Sequence, residues 1–314
     1  MRLIGCLVAL VSLSFVESAA QQDRIVVAQD GSGDFTTITA AVNSRPDHSQ
    51  TRITIFIKNG TYREKLVVPS WKTNITLAGE DKEKTIITWD DYSGKGALNT
   101  FTSYTLLVQG NDFRAENLTI ENSAGPNVAQ AVALHVEADR CVFTNCRLIA
   151  NQDTLYLGVD NSRQYFVDCY IEGTTDFIFG PATSVFKNCV IHCKKNSYIT
   201  AASTPKDKKF GFVFLGCTIT HSPDATKVYL GRPWRPFAQT VFIQCTLGDH
   251  ILPEGWHNWN KLDAEKTSYY GEYQSKGEGA SATTRVGWSH QLTEEESRRY
   301  TPANIFGEWN PELK

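Results

Sequence analysis

Phe143-Thr144-Asn145-Cys146-Arg147-Leu148 is followed 23 residues later by Phe166-Val167-Asp168-Cys169-Tyr170-Ile171. The shared phrase, Phe-x-x-Cys-x-(Ile/Leu), returns at Phe186-Cys189-Ile191, Phe214-Cys217-Ile219 and Phe242-Cys245-Leu247, with Phe113-Glu116-Leu118 as a weaker copy. The spacings between successive starts are 30, 23, 20, 28 and 28 residues. Short repeats of this length, rich in β-branched residues and punctuated by Asn, Gly and Asp, describe a solenoid. The Leu-x-x-Leu-x-Leu ladder of leucine-rich repeats is absent. The expected fold is therefore all-β, a parallel β-helix with short helical caps at both ends. Unequal spacings mean loops of unequal length, and loops on a rigid scaffold commonly carry function.

Asp153 lies ten residues after Phe143, and Asp176 ten after Phe166. In a solenoid they occupy one slot on adjacent coils, about 4.8 Å apart, the spacing between neighbouring strands. Carboxylates that close cannot both ionise freely, so their pKa values separate. The pair could then act as one acid and one nucleophile. The alternative is that both are Asx turn residues at solenoid corners, and position alone does not choose. Neighbouring segments favour chemistry. Leu230-Gly231-Arg232-Pro233-Trp234 supplies a guanidinium that could hold one Asp ionised. Gln130 and Gln152 are uncharged donors suited to a developing oxyanion, although each taken singly reads as a surface or ladder amide.

The chain of 314 residues opens with Met1-Arg2, an apolar run from Leu3 to Val16, and Ser18-Ala19-Ala20. That pattern describes a secretory signal peptide over residues 1–20, leaving one domain over 21–314. Leu3-Ile4-Gly5-Cys6 opens the apolar run instead of ending it, which argues against lipidation. No later stretch reaches the length of a membrane span. A formal net charge of −3 offers no basic surface for nucleic acid. Seven Cys remain beyond the leader, an odd number, and five of them fill the repeat slot. There a small buried apolar residue is the simpler reading than a disulfide. Without a Cys-x-x-Cys pair, zinc is not expected.

Near the start, the spacing of Ile38, Ala41 and Val42 predicts a short helix plugging one end. Near the finish, Thr293-Glu294-Glu295-Glu296 is a capping box opening a helix to about Tyr300, expected to cover the last coil. Asn59, Asn74 and Asn117 each begin an Asn-x-Ser/Thr sequon.

Five segments in order resemble the pectin methylesterase family: Gly60-Thr61-Tyr62-Arg63-Glu64, Gln130 to Leu134, Gln152 to Leu155, Asp176 to Gly180, and Leu230 to Trp234. The resemblance implies a right-handed single-stranded parallel β-helix that removes methyl groups from esterified galacturonan. It implies Asp176 as nucleophile, Asp153 as general acid and base, Gln130 and Gln152 as oxyanion donors, and Arg232 as the residue orienting Asp176. Trp234 matches the sugar groove, Tyr156 and Phe177 resemble cleft aromatics, and Trp256 is a further cleft candidate. Gly60 to Glu64 reads as structural. No metal or cofactor is implied; the expected partner is methyl-esterified homogalacturonan, bound by a secreted monomer. An inhibitor-like helical extension, carried by many plant members, is not seen in the sequence. Pectin-acting glycosidases also need two carboxylates, but Gly-His-Gly and Arg-Ile-Lys are absent, and a calcium-dependent lyase would want more than Asp90-Asp91. A β-helical adhesin would explain the solenoid and the aromatics but not the placement of the two Gln, two Asp and Arg.

Overall fold

A computed structural model describes residues 24–312, so the leader expected over residues 1–20 lies outside the described residues. Three parallel sheets of 11, 7 and 8 strands run the length of the molecule. One coil shows how they arise. Cys141–Thr144 joins the long sheet, Arg147–Ile149 the eight-stranded sheet and Leu155–Leu157 the seven-stranded sheet, before Arg163–Val167 returns to the first. Each strand pairs in parallel with its counterpart one coil away: Phe143 lies opposite Phe166, Leu148 opposite Ile171, and Leu155 opposite Ile178.

The corner inside each repeat explains its wording. Asn145, Asp168, Asn188, Gly216 and Gln244 stand between the Phe and the Cys, and all have left-handed backbone, with φ of 51°, 53°, 54°, 63° and 52°. One such residue turns the chain from one sheet to the next. Gly, Asn and Asp tolerate that conformation best, which accounts for four of the five. Gln244 adopts it with a bulkier side chain.

Inside, the five repeat phenylalanines form a continuous stack. Phe143 to Phe166, Phe166 to Phe186, Phe186 to Phe214 and Phe214 to Phe242 have ring centroids 4.7, 4.9, 4.5 and 4.4 Å apart. The cysteines run beside them. The thiols of Cys169, Cys189, Cys217 and Cys245 each approach the carbonyl of the Phe one coil earlier, Cys169 to Phe143 at 3.4 Å and Cys217 to Phe186 at 3.3 Å. All seven described cysteines are free and buried, so the slot selects a small apolar residue with a weak donor.

At the N-terminal end the helix Ile38–Asn43 buries Ile38, Ala41 and Val42 against the first coils. Thr37 caps it, and the Glu64 carboxylate accepts from the backbone N–H of Ile38 and Thr39 at 2.9 and 2.8 Å. Tyr62 is buried and donates to the Lys58 carbonyl. Gly60 to Glu64 is thus a strand and a cap, not part of a site.

The other end differs from expectation in detail. The capping box at Thr293 is present, but its helix spans only Glu294–Ser297, and a second helix follows at Pro302–Phe306. Ile305 and Phe306 lie on the outer face of the long sheet, against Val142, Tyr165, Val185 and Val213. The apolar outer residues of those strands give the helix something to cover there. Trp256, Tyr270 and Trp288 join the interior at the last coils, with Trp256 stacked on Tyr270 at 4.4 Å. Among the described residues no helix is long and apolar enough to cross a membrane.

Phe186 is fully buried between two stacked rings. Phe186→Ala is expected to lower stability by about 3–5 kcal/mol in urea denaturation, because the coils cannot collapse into the gap. Reductant is expected to leave the melting temperature of the wild type unchanged, since the described cysteines form no disulfide.

Candidate active site

Five adjacent coils bring the candidate residues to the seven-stranded sheet. Gln130 precedes the strand Leu134–Val136, Gln152 and Asp153 precede Leu155–Leu157, and Asp176 precedes Ile178–Gly180. Tyr198 opens Tyr198–Ala202, and Arg232 follows Tyr229–Gly231. Backbone bonds fix the register. Ala131 donates to the Gln152 carbonyl at 3.1 Å, Asp153 to Thr175 at 3.0 Å, and Asp176 to Tyr198 at 2.8 Å. Asp153 and Asp176 therefore do hold one slot on adjacent coils. Both have left-handed backbone, φ 64° and 49°, so the Asx-turn reading describes their conformation without excluding chemistry.

Their surroundings separate them. Arg232 grips Asp176 with two parallel bonds, Nε to Oδ1 at 3.0 Å and Nη2 to Oδ2 at 2.7 Å. The guanidinium is itself sandwiched, 3.8 Å from the Tyr198 ring centre and 3.7 Å from that of Trp259. Planar stacking on two aromatic faces suits Arg and would not suit Lys. Both aspartates are more than nine-tenths buried as whole residues. Burial raises the Asp176 carboxyl, while Arg232 pulls it back down. Asp153 lacks the ion pair. Burial, then the charge of Asp176, push it well above the ordinary carboxylate range, with weaker opposition from Arg232 and from a Gln152 hydrogen bond. The order of ionisation follows: Asp176 loses its proton first, and Asp153 keeps its own.

A groove of about 330 Å³ lies over this pair, lined by Gln130, Gln152, Asp153, Asp176 and Arg232 with Phe101, Phe179, Trp234 and Trp259. Tyr156 stands beside it, half-buried, with its ring 5.1 Å from Phe101 and 4.8 Å from Phe179. Phe177 and Trp256 are not in the groove. Phe177 is buried in the solenoid core and Trp256 stacks on Tyr270 inside the last coils. The pairing of Tyr156 with Phe179 shows why. The same 23-residue offset that aligns the two Asp places residue 179, not 177, beside the outward Tyr156. Trp259 comes from a loop and Phe101 from the short 3-10 helix Thr100–Thr102, and no local pattern announced them.

A family model described as pectinesterase matches residues 24–308. The chain belongs to the pectinesterase family. It is accordingly a carboxylic ester hydrolase. Pectinesterase 31 of Arabidopsis thaliana is 41% identical over 284 residues, covering 87% of this chain and 89% of that relative. Putative pectinesterase/pectinesterase inhibitor 45 of the same plant is 39% identical, and there the chain spans about half the relative's length, 51%. Among solved structures, pectin methylesterase from carrot superposes with a TM-score of 0.85 at 39% identity, covering 90% of this chain and 92% of that one. Pectin methylesterase PemA from Erwinia chrysanthemi gives 0.80 at 30% identity, covering 92% and 98%. Pectin methylesterases are parallel β-helix proteins, in agreement with the fold seen here.

Gly231 is the one position beside Arg232 where a side chain has no room. A Cβ there would fall 2.0 Å from Thr200 Oγ1. Gly231→Ala is expected to cost about 1–3 kcal/mol and to lower esterase turnover by displacing Arg232. Thr200→Ala in the same chain should recover part of both losses, read by denaturation and by initial rates.

Proposed function

We propose that this protein is a pectin methylesterase that hydrolyses methyl esters of galacturonate residues in pectin, using Asp176 as nucleophile and Asp153 as general acid and base. The observation that carries the reading is the asymmetry of the carboxylate pair: Asp176 is held by a bidentate Arg232, and Asp153 is buried beside it with no cation of its own. The names of the related structures support the substrate. Two are pectin methylesterases in complex with hexasaccharides.

Anionic Asp176 attacks the C6 carbonyl carbon of a methylated residue. The carbonyl π electrons move onto oxygen, where the side-chain N–H groups of Gln130 and Gln152 receive the negative charge. Collapse of this adduct breaks the bond to methoxy oxygen, and Asp153 gives that oxygen its proton, releasing methanol. Sugar and enzyme are then joined as an anhydride. Asp153, now a carboxylate, takes a proton from water while the hydroxide attacks the same carbon. Asp176 departs as the anion and Asp153 is protonated again, so each turnover consumes one ester and one water. Phe101, Phe179, Trp234 and Trp259 offer faces on which sugar rings stack. The apolar leader supports export, and the main core, continuous through the coils, supports one catalytic domain.

The test is methanol release from highly methylated pectin. Wild type is expected to release methanol without new reducing or unsaturated chain ends, and Asp176→Ala to release none while retaining its melting temperature. Chain ends without methanol would overturn the reading in favour of a hydrolase or lyase. Gln152→Ala is expected to lower kcat by about 10²–10³.

The pH profile follows from the sign of the two shifts. Turnover requires Asp176 ionised and Asp153 protonated. The acid limb reports protonation of Asp176, and the alkaline limb reports ionisation of Asp153, which lies well above the usual carboxylate range. Arg232→Lys weakens the hold on the anion, so the acid limb of kcat/KM should move to higher pH.

A further inference from the structure

Away from the groove, on the eight-stranded sheet, two histidines and an aspartate converge. His221 ends the strand Thr218–His221, and Asp249 and His250 follow the strand Thr246–Leu247 on the next coil. Each offers one ligand atom, and the three atoms lie within 4.8 Å of one another. None of these residues lines the catalytic groove.

The hydrogen bonds around His221 decide what its ring presents. Its Nδ1 stands 2.9 Å from the Ser222 carbonyl oxygen. A carbonyl only accepts, so Nδ1 carries the hydrogen. In the neutral ring Nε2 is then a bare lone pair, and it faces Asp249 Oδ1 at 3.0 Å. Two lone pairs at that distance need a cation or a proton between them. A backbone carbonyl holding Nδ1–H is also the usual way a metal-binding imidazole is oriented.

His250 adds an independent sign. It is 1% exposed, and neither ring nitrogen has a hydrogen-bond partner. Buried imidazole nitrogens ordinarily find one. Its ring stacks on His221 with centroids 4.3 Å apart. The space it occupies depends on Gly248, where a Cβ would sit 2.7 Å from His250 Nδ1. His192, the next histidine along the sheet, has both nitrogens engaged, by Thr220 Oγ1 and Ser222 Oγ. It supports Ser222 and is not a ligand.

The geometry points to a divalent transition-metal site formed by His221, Asp249 and His250, of the zinc type, with a fourth position open to water. Two imidazoles and one carboxylate suit Zn²⁺, and the same donors are poor for Mg²⁺ or Ca²⁺, which favour oxygen. Tetrahedral coordination places ligand atoms roughly 3.4 Å apart. His221 Nε2 and Asp249 Oδ1 already stand near that spacing, at 3.0 Å, and the Asp249 side chain, 62% exposed, is free to adjust, while His250 is held in place. The ion would act as a staple. The His250 carbonyl accepts from Val228 N–H at 2.8 Å, and Val228 leads directly into the strand Tyr229–Gly231 that precedes Arg232. The metal would thus tie the last repeat coil to the coil carrying the catalytic arginine without entering the reaction.

The test is a calorimetric titration of the chelator-treated protein with ZnCl₂, with MgCl₂ and CaCl₂ as controls, beside thermal melts. Expected are one Zn²⁺ per chain, a melting temperature raised by several degrees, and no response to the controls. His221→Ala and Asp249→Asn alter partly exposed side chains and should each weaken binding at least tenfold while methanol release stays at the wild-type rate. With Co²⁺ as the probe, visible absorption bands of a four-coordinate ion should appear in wild type and vanish in both variants. No saturable binding by the wild type would overturn the proposal and leave His221–Asp249 a proton-bridged ion pair. Undiminished binding in the double variant would overturn it equally, by assigning the ion to another surface histidine.

Discussion

Backbone hydrogen bonds between successive coils admit one register, and that register sets the rest of the molecule. Once Leu155 lies opposite Ile178, every neighbouring position is determined. Phenylalanines meet phenylalanines, thiols meet carbonyls, and Asp153 meets Asp176. A parallel β-helix has no means of separating like residues in one slot, because each coil repeats the last at the inter-strand distance. For apolar residues this is favourable, since stacked rings and small thiols fill the interior without voids. For charged residues the same rule places like beside like.

Two full charges about 5 Å apart in a medium of effective dielectric about 20 repel by roughly 3 kcal/mol. Burial is the larger cause, and with this repulsion added Asp153 lies well above the ordinary carboxylate range while its neighbour is ionised. The solenoid alone would leave the choice between the two open. Arg232, arriving from two coils further on, makes it, and the aromatic faces of Tyr198 and Trp259 keep the guanidinium in place. The two carboxylates are therefore distinguished by a residue 56 positions away in sequence, while the slot itself treats them alike.

How much of this could be read from the chain depended on whether the information was periodic. The Phe-x-x-Cys phrase named the coils, the 23-residue offset paired the two Asp, and Ile38 with Ala41 and Val42 marked the first helix. The earlier coils carry no Cys, and their strands follow the same geometry with a fainter sequence pattern. Phe177 was misplaced because a left-handed Asp176 re-aims the residue after it, whereas the offset applied to Tyr156 leads to Phe179. Trp256 and Trp259 differ only in how an irregular loop presents them, one inward and one over Arg232, and a loop has no period to read. The helix Pro302–Phe306 lies on the outer face of the long sheet because Val142, Tyr165, Val185 and Val213 form an apolar stripe there. That stripe emerges only when four coils are stacked.

The seven buried thiols give the fold a direction in time. While the coils are closed, no oxidant reaches them and none is paired. A chain that opens in an oxidising medium exposes these seven thiols together. Any that pair with each other join coils that the native register keeps in sequence, and any left unpaired can react with another molecule. Either product is barred from returning. Endurance of this protein outside a reducing environment is then governed by how rarely its coils part, a rate, more than by the depth of its free-energy minimum.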